Sequence, residues 1–167
     1  MKHFIIICLL LTTTVGLCQA ENEFDKSSIS IGVIASDLKT SLDFYTNIIG
    51  MKQTGEFPVG DTLSKKTGLT NGVAFDVKVL KLHDDPNATE YKLLSFKNPK
   101  SKSDTYINEG NGMRYITLFY KSLDAVIQRL KDNNINFLSE EPTHIPDGRR
   151  FVLVQDPDGV FVELIGK

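Results

Sequence analysis

Strand-like and helix-like hydrophobic patterns follow one another along the first part of the chain. Residues 29–35 (ISIGVIA) are mostly β-branched and apolar and have polar neighbours, which predicts a buried strand. A helix is predicted directly after it, with Ser36 as the N-cap and Gly50 at the end. The apolar residues of this helix recur at helical spacing: Leu38, Leu42, Tyr45 and Ile49.

The next residues predict a loop followed by two strands. Gly, Thr, Ser and Lys are frequent between Gly55 and Gly72, which is typical of a loop. Residues 73–82 and 91–96 return to an apolar pattern and predict extended structure.

The same order of elements occurs again in the second half. Residues 115–120 (YITLFY) predict a strand, and Ser122 is the expected N-cap of a helix that ends near Asn133. Residues 136–138 begin the next extended piece. The sequence DPDG separates residues 150–154 from residues 160–165, which predicts a hairpin.

The two halves also agree in register. Ser30 falls opposite Tyr115, and Asp37-Leu38 falls opposite Ser122-Leu123, both at an offset of 85 residues. Internal duplication is the simplest explanation. The sequence therefore predicts one α+β domain built from two βαβββ units.

The first twenty residues have a different character. A basic start (MKH) precedes an unbroken apolar run (FIIICLLL) and then small and polar residues up to Ala20. This is the layout of a secretory signal peptide, and the run is too short to cross a bilayer as a stable helix. We expect a signal peptide over residues 1–20, export to the periplasm or the extracellular space, and a mature domain over residues 21–167. A lipoprotein acylated at Cys18 is less favoured, because Leu17 is larger than the Gly or Ala usual before such a cysteine.

Composition and charge exclude several classes of protein. Hydrophobic residues make up 41% and charged residues 24% of the chain, which is the balance of a globular domain and not of a collagen-like or disordered one. The net charge of -2 becomes about -3 when the signal peptide, with Lys2, is removed. Basic residues form isolated pairs and there is no Trp, so no nucleic-acid partner is expected. Both cysteines lie in the presequence, which leaves the expected mature chain without a disulfide, a thiolate nucleophile or a cysteine ligand for zinc.

Motifs at both ends of the domain resemble one known family. At the N-terminal end, SDL follows the first strand, the helix carries Phe44-Tyr45, and it closes on Ile49-Gly50-Met51. At the C-terminal end, residues 151–164 read FVLVQDPDGVFVEL, in which DPDG followed by EL is the most specific part. These segments resemble the vicinal oxygen chelate superfamily, which includes glyoxalase I, bleomycin-resistance proteins, fosfomycin-resistance enzymes and extradiol dioxygenases.

The resemblance implies an architecture and a chemistry. Two βαβββ modules, about residues 28–97 and 112–166, would form a half-barrel around a small-molecule cavity, and many members of the family are homodimers. In catalytic members a divalent metal is held by His, Gln or Glu side chains from four strands and polarises vicinal oxygens of the substrate.

The four metal-ligand positions of the family fall on Ser30, Lys92, Tyr115 and Glu163. Only Glu163 keeps a family ligand type. A charged ammonium has no lone pair and repels a divalent cation, so Lys92 argues against a metal at this position. An ion pair between Lys92 and Glu163 across the cavity is our prediction, and no cofactor is assigned.

An alternative metal site would use Glu90 and Glu163 with a histidine from elsewhere. His83 lies beside two aspartates, and His144 lies in the loop before the final hairpin. Neither has a partner at a metal-binding spacing, so both are interpreted as solvated loop residues.

Side-chain alternation extends the candidate site along the strands. The expected ligand-binding residues are Ser30, Lys92, Tyr115, Thr117, Phe119, Phe161 and Glu163. In a metal-free reaction Lys92 would polarise a carbonyl or stabilise an enolate, and Glu163 or Tyr115 would move protons, which makes these three the candidate catalytic residues.

The sequence is compatible with three functions. The leading one is an exported glyoxalase-like protein that binds a small molecule and has lost most of its metal ligands. The second is a metal-dependent lyase, isomerase or dioxygenase with non-standard ligands, and stoichiometric metal in the purified protein would favour it. The third is a structural or partner-binding domain, which a cavity filled by side chains would favour.

Overall fold

Two four-stranded sheets and their connecting helices make up the part of the chain that the structure describes. The computed structural model describes residues 23–97, 104–138 and 142–167. The predicted signal peptide, residues 1–20, lies outside these ranges. None of the helices within them is both long enough and apolar enough to cross a bilayer.

Module 1 contains the first sheet. Its elements are β1 (Ser30–Ala35), α1 (Leu38–Asp43, continued by a π-helical turn over Phe44–Ile49), β2 (Lys52–Val59), α2 (Asp61–Lys66), β3 (Phe75–Lys81) and β4 (Glu90–Ser95). The strand order is β1-β4-β3-β2, with β1 parallel to β4 and the other neighbours antiparallel. Helix α1 makes the crossover that a parallel pair requires.

Module 2 repeats this topology. After a 3₁₀ turn at Ile107–Glu109, its elements are β5 (Tyr115–Phe119), α3 (Asp124–Asp132), β6 (Thr143–His144), β7 (Arg150–Gln155) and β8 (Phe161–Gly166). The strand order is β5-β8-β7-β6, again with one parallel pair at the β5 edge. Ser30 and Tyr115 both begin the edge strand of their sheet, which confirms the predicted repeat and the α+β fold.

Four local predictions were wrong. The segment Gly55–Gly72 contains most of β2 and all of α2 rather than a loop. Asp37, not Ser36, caps α1, because its carboxylate accepts hydrogen bonds from the backbone N–H groups of Lys39 and Thr40.

The other two concern module 2. Helix α3 begins at Asp124, after Leu123, so Ser122 lies one residue before the cap position. Residues 136–138 form no strand, and the third element of this module is the short β6. The backbone N–H of Leu138 instead bonds the carbonyl of Leu153 as a single contact.

The larger of two hydrophobic clusters among the described residues joins the two modules. It contains apolar residues of α1 and its π-helical turn, of α3, and of one face of each sheet: Phe44, Tyr45, Ile48, Leu80, Tyr91, Leu93, Ile116, Leu118, Leu123, Val126, Leu130, Val152, Val154, Val162 and Leu164. Since successive strand residues point to opposite sides, the residues between these lie on what we call the outer face of each sheet.

Polar contacts from module 2 fix both ends of the first helix. At its start, the Asp158 carboxylate accepts from the backbone N–H of Ser36 and from Ser41 Oγ, both at 2.9 Å. At its end, Arg129 Nε donates to the carbonyl of Ile48 at 2.6 Å. The Ile48 carbonyl lies in the last turn, where carbonyls have no partner inside the helix, so module 2 satisfies a group that module 1 alone would leave to water.

Candidate functional site

Glu90 is the centre of a charged cluster on the outer face of module 1. Lys92 Nζ lies 3.1 Å from one carboxylate oxygen, which also accepts a hydrogen bond from Ser30 Oγ at 3.0 Å. Lys81 Nζ lies 3.9 Å from the other oxygen. The hydrogen bonds from Lys92 and Ser30 hold the pKa of Glu90 below its ordinary value. Two ammonium groups therefore share one carboxylate, and the cluster carries a net positive charge.

The equivalent position in module 2 carries a negative charge. Lys92 pairs with Gly32 across the parallel strands of module 1, and Glu163 pairs with Thr117 at the same register in module 2. Thr117 Oγ1 donates a hydrogen bond of 2.6 Å to Glu163. The repeat thus places a lysine and a glutamate at matching backbone positions.

The predicted ion pair between Lys92 and Glu163 was wrong. Lys92 pairs with Glu90, and among the described residues no cation lies within ion-pair distance of Glu163. The physical reason is proximity: residues two apart on a strand lie on the same face, so Glu90 is always close to Lys92.

The aromatic candidates of module 2 occupy different environments. Tyr115 is 46% and Phe119 67% exposed, and the Arg149 guanidinium lies 5.6 Å from the Phe119 ring centre. Phe161 is buried, and the Arg114 guanidinium lies 5.8 Å from its ring centre. Two aromatic side chains on the outer face of module 2 are therefore accessible to a ligand or a partner.

Two clefts lie between the modules and meet along the edge strands. One has a volume of about 320 Å³ and the other about 480 Å³. Five residues line both clefts, so the clefts form one continuous space, which we call the inter-module groove: Ile31, Tyr91, Met113, Tyr115 and Ile116.

The groove includes only part of the predicted ligand-binding set. Tyr115, Thr117 and Phe161 line it. The other four predicted residues do not line either cleft: Ser30, Lys92, Phe119 and Glu163. The structure thus separates the candidates into three residues that line the groove and four that do not.

Sequence reasoning missed a buried hydrogen-bond chain beside the groove. Asp156 is 5% exposed, and its Oδ1 accepts from the backbone N–H groups of Asp158 and Val160. Its Oδ2 accepts from Tyr45 Oη at 2.9 Å, and Tyr45 Oη lies 2.7 Å from Tyr91 Oη. Since the single proton of Tyr45 is directed at Asp156, Tyr91 donates to Tyr45.

Burial shifts the pKa values of the three side chains in this hydrogen-bond network. It raises the pKa of Asp156 despite the three hydrogen bonds, and it raises the pKa of Tyr45 and Tyr91 well above that of a free phenol. Two signals in the sequence mark this network: a hydroxyl-bearing residue, Tyr45, in the apolar stripe of the first helix, and the first aspartate of DPDG. By pattern alone the first indicates helix core and the second a turn.

Comparison with known proteins identifies the family. The model of the Glyoxalase/Bleomycin resistance protein/Dioxygenase superfamily matches residues 29–164. The chain belongs to this superfamily. The uncharacterized protein YwbC of Bacillus subtilis (strain 168) is 28% identical over 132 residues, which are 79% of this chain and 90% of that protein.

Solved structures share the fold of this glyoxalase-like chain. A glyoxalase family protein from Bacillus cereus superposes with a TM-score of 0.70 at 17% identity, covering 88% of this chain and 97% of that one. Glyoxalase I from Leishmania major superposes with a TM-score of 0.60 at 18% identity, covering 82% and 84%. At these identities the likeness concerns the two-module fold.

Of the four residues that the resemblance places at the family's metal positions, only Glu163 is a ligand type that suits a divalent metal. Ser30 and Tyr115 offer neutral hydroxyls, and Lys92 places an ammonium next to Glu90, the carboxylate of the alternative site. Across the described ranges, no group of three His, Cys, Asp or Glu side chains converges to hold an ion.

Proposed function

We propose that this glyoxalase-like protein binds a small molecule without a metal and that the ammonium of Lys92 takes the place of the metal. The observation that supports this most directly is the contact between Lys92 and Glu90, at 3.1 Å, in the strand where the family has a metal-binding carboxylate. A fixed ammonium can attract and orient ligand oxygens as a divalent cation does, although with a smaller charge.

The surroundings of Lys92 suit an oxygen-bearing ligand. An ammonium has three N–H donors, and Glu90 engages one of them. Val79 and Leu94 flank Lys92 on the outer face and belong to an apolar cluster there. We infer a ligand that presents carbonyl or carboxylate oxygens to Lys92 and an apolar part to this cluster.

Export is part of the proposal and rests on the sequence of residues 1–20. The layout of a basic start, an apolar run and small residues before Ala20 favours secretion and cleavage. Mass spectrometry of the protein from its own host should give a chain that begins at Glu21. Full-length protein in the cytoplasm would contradict export.

A homodimer is also proposed, because apolar side chains on the outer faces are unusually accessible. Ile34 and Phe57 of module 1 are 53% and 44% exposed, and Phe119 of module 2 is 67% exposed. Burying such side chains against a second copy would remove apolar area from water. Sedimentation analysis should give twice the mass of the chain, and a Phe119→Asp variant should sediment as a monomer.

Metal content and ligand binding test the central claim. Purified protein should retain no stoichiometric zinc, nickel, manganese or iron, and zinc titrated calorimetrically into it should not bind at the Lys92 position. In a Lys92→Glu variant, zinc should bind more tightly than in the wild type, because the repelling ammonium is replaced by a family-type ligand. A chelator-sensitive metal in wild-type protein would overturn the proposal in favour of a metalloenzyme.

Pyruvate serves as a probe with vicinal carbonyl and carboxylate oxygens. Lys92→Met should weaken its binding, whereas Lys39→Met, which removes an exposed lysine in α1, should leave binding unchanged. Equal affinity of the two variants would argue against a role for Lys92.

A further inference from the structure

We propose that the ligand of the Lys92 site is an anion and that Lys81 and Lys52 are two further residues that bind it. This proposal rests on the proposed function, because it concerns the same site and specifies the charge of its ligand. The expected ligand class is a 2-oxo carboxylate rather than a neutral dicarbonyl compound.

Strand pairing collects three lysines at one end of the outer face of module 1. Lys52 of β2 lies directly opposite Lys81 of β3 in the antiparallel register. On the other side of Lys81, the carboxylate of Glu90 lies 3.9 Å from its Nζ. Lys92 follows Glu90 on the same face of β4, at 3.1 Å. Because directly opposed residues of neighbouring strands point to the same side, the three ammonium groups share one face with a single carboxylate.

The charges of this face do not cancel. Across the four described strands of module 1, the outer-face positions carry three lysines and one glutamate, which leaves a surplus of two positive charges. Like charges directly opposite each other on paired strands are destabilising, as Lys52 and Lys81 are here. Among the described residues, no carboxylate lies within ion-pair distance of Lys52. A bound anion would relieve this repulsion.

The aspartates of the turn after β3 do not neutralise Lys81. Lys81 Nζ donates a hydrogen bond of 3.0 Å to the backbone carbonyl of Asp85, whereas the Asp85 carboxylate accepts from the backbone N–H of Asn87. Within the described part of the chain, the ion-pair contact of Lys81 is the one with Glu90. Since Glu90 is shared with Lys92, one carboxylate faces two ammonium groups.

Lys81 connects the Lys92 site to the inter-module groove. Its side chain is only 11% exposed, and among the described residues that line the larger cleft, Lys81 alone is charged. The volume of this cleft, about 480 Å³, lies within the range of small-molecule pockets. Asp104, which pairs with Arg114, and Asp158 line the smaller cleft instead. The positive charge of Lys81 is thus available to a ligand in the larger cleft.

The wall that module 2 contributes to the larger cleft disfavours an anion. Thr117 lies on this wall and donates a hydrogen bond of 2.6 Å to Glu163, whose carboxylate does not itself line the cleft. The negative charge of Glu163 would repel an anion placed beside Thr117. The anionic group is therefore expected at the module 1 wall, between Lys81 and Lys92.

Two probes of matched shape test the charge of the ligand. Pyruvate and pyruvamide have the same size and the same pair of vicinal oxygens, but only pyruvate is charged. Each is titrated calorimetrically into the full chain at low ionic strength. We expect pyruvate to bind about tenfold more tightly than pyruvamide, and added salt should reduce this ratio. Equal affinity of the two probes at low ionic strength would overturn the proposal.

Single substitutions test the two lysines. Pyruvate binding should weaken about fivefold in Lys81→Met and about twofold in Lys52→Met, because Lys52 is exposed and its charge is more strongly screened. Lys81→Arg keeps the charge and should retain most of the affinity. The control is Lys78→Met, which removes a lysine from the opposite face of β3, where it pairs with Glu56, and should leave binding unchanged. Unchanged pyruvate binding in both Lys81→Met and Lys52→Met would overturn the proposal.

Thermal unfolding without ligand separates a binding role from a structural one. Lys52→Met removes the like charge opposite Lys81, so the variant should melt at or above the temperature of the wild type although it binds pyruvate more weakly. A lower melting temperature in Lys52→Met would show that Lys52 makes a favourable contact in the free protein, which would overturn the surplus of positive charge at this site.

The failure of this proposal can be distinguished from the failure of the proposed function. If pyruvate binds equally well to the wild type and to a folded Lys92→Met variant, the proposed function is wrong. If Lys92→Met weakens pyruvate binding but pyruvamide binds to the wild type as tightly as pyruvate does, the site is correct and its selection of an anion is wrong.

Discussion

The two modules share a backbone plan but differ in what completes their helices. Asp158, Arg129 and Tyr120, all from module 2, fix the two ends of the module 1 helix. The ends of α3 are satisfied within module 2, by Ser122 at its start and Asn133 at its end. The module 1 helix therefore takes hydrogen bonds from module 2 at both ends, in addition to its own cap Asp37, whereas the terminal hydrogen bonds of α3 come from module 2 itself.

The modules also differ in charge at their equivalent positions. Lys92 and Glu90 form a net positive cluster with Lys81 in module 1, and Thr117 and Glu163 form a negative pair in module 2. The strand pairing is the same in the two modules, whereas the side chains at these matching positions differ.

The largest expected effect comes from breaking the buried contact between modules. Tyr45→Phe removes the proton donor to Asp156 and leaves Tyr91 Oη without an acceptor. We expect the free energy of unfolding to fall by about 2–3 kcal/mol, because buried polar groups lose their partners. Urea denaturation measures this loss, and Tyr115→Phe, at an exposed phenol, should cost less than about 0.5 kcal/mol. Equal losses of unfolding free energy in Tyr45→Phe and Tyr115→Phe would show that the hydrogen bonds of Tyr45 do not stabilise the protein.

A smaller loss of stability should follow when the hydrogen bond from α3 to the end of the module 1 helix is removed. Arg129→Met deletes the donor to the Ile48 carbonyl and should lower the free energy of unfolding by about 1–2 kcal/mol. Lys131→Met lies on the same helix and is exposed, so it should have little effect. Hydrogen exchange should also accelerate within residues 44–49. An unaltered exchange rate there would refute the dependence of module 1 on module 2.

A still smaller loss of stability is expected when the position of Lys92 is given the negative charge that Glu163 carries in module 2. Lys92→Glu places a second carboxylate on the same strand face as Glu90. We expect a loss of about 1 kcal/mol from the lost ion pair and the new repulsion. Unfolding measured at low and high salt distinguishes this cause, because screening should reduce the loss. A loss independent of salt would point to packing instead.

The smallest effect is a pH dependence localised at Glu90. Because its pKa is lowered in the folded state, Glu90 contributes stability above its ordinary value of 4.5, and this contribution is lost as the pH falls through the lowered folded value. The wild type should exceed Glu90→Gln by about 0.5 kcal/mol at pH 7 and match it in strong acid. In a Lys92→Met background the same comparison should give a smaller difference. If the difference in unfolding free energy between wild type and Glu90→Gln increased as the pH fell, the assigned direction of the Glu90 pKa shift would be wrong.

The elements that could be predicted are those with strong local patterns. The first strand, the helix ending at Gly50 and the hairpin around DPDG follow from β-branched runs, helical spacing and turn residues. The strand β2 could not be recognised, because it contains Gly55 and Pro58, which disfavour a strand in isolation. An edge position in the sheet tolerates both, and only pairing with β3 reveals it.

The sequence by itself determined the repeat, the family and the presence of an ammonium at the position of a metal ligand, because these depend on residue type and register along one strand. The alternation that places Glu90 beside Lys92 is equally local. Only the tertiary structure decided which polar groups meet between the modules, how Tyr45 reaches Asp156 and where the groove lies. Those contacts join residues far apart in sequence, and their geometry is set by how two sheets pack around a shared core, which no local pattern encodes.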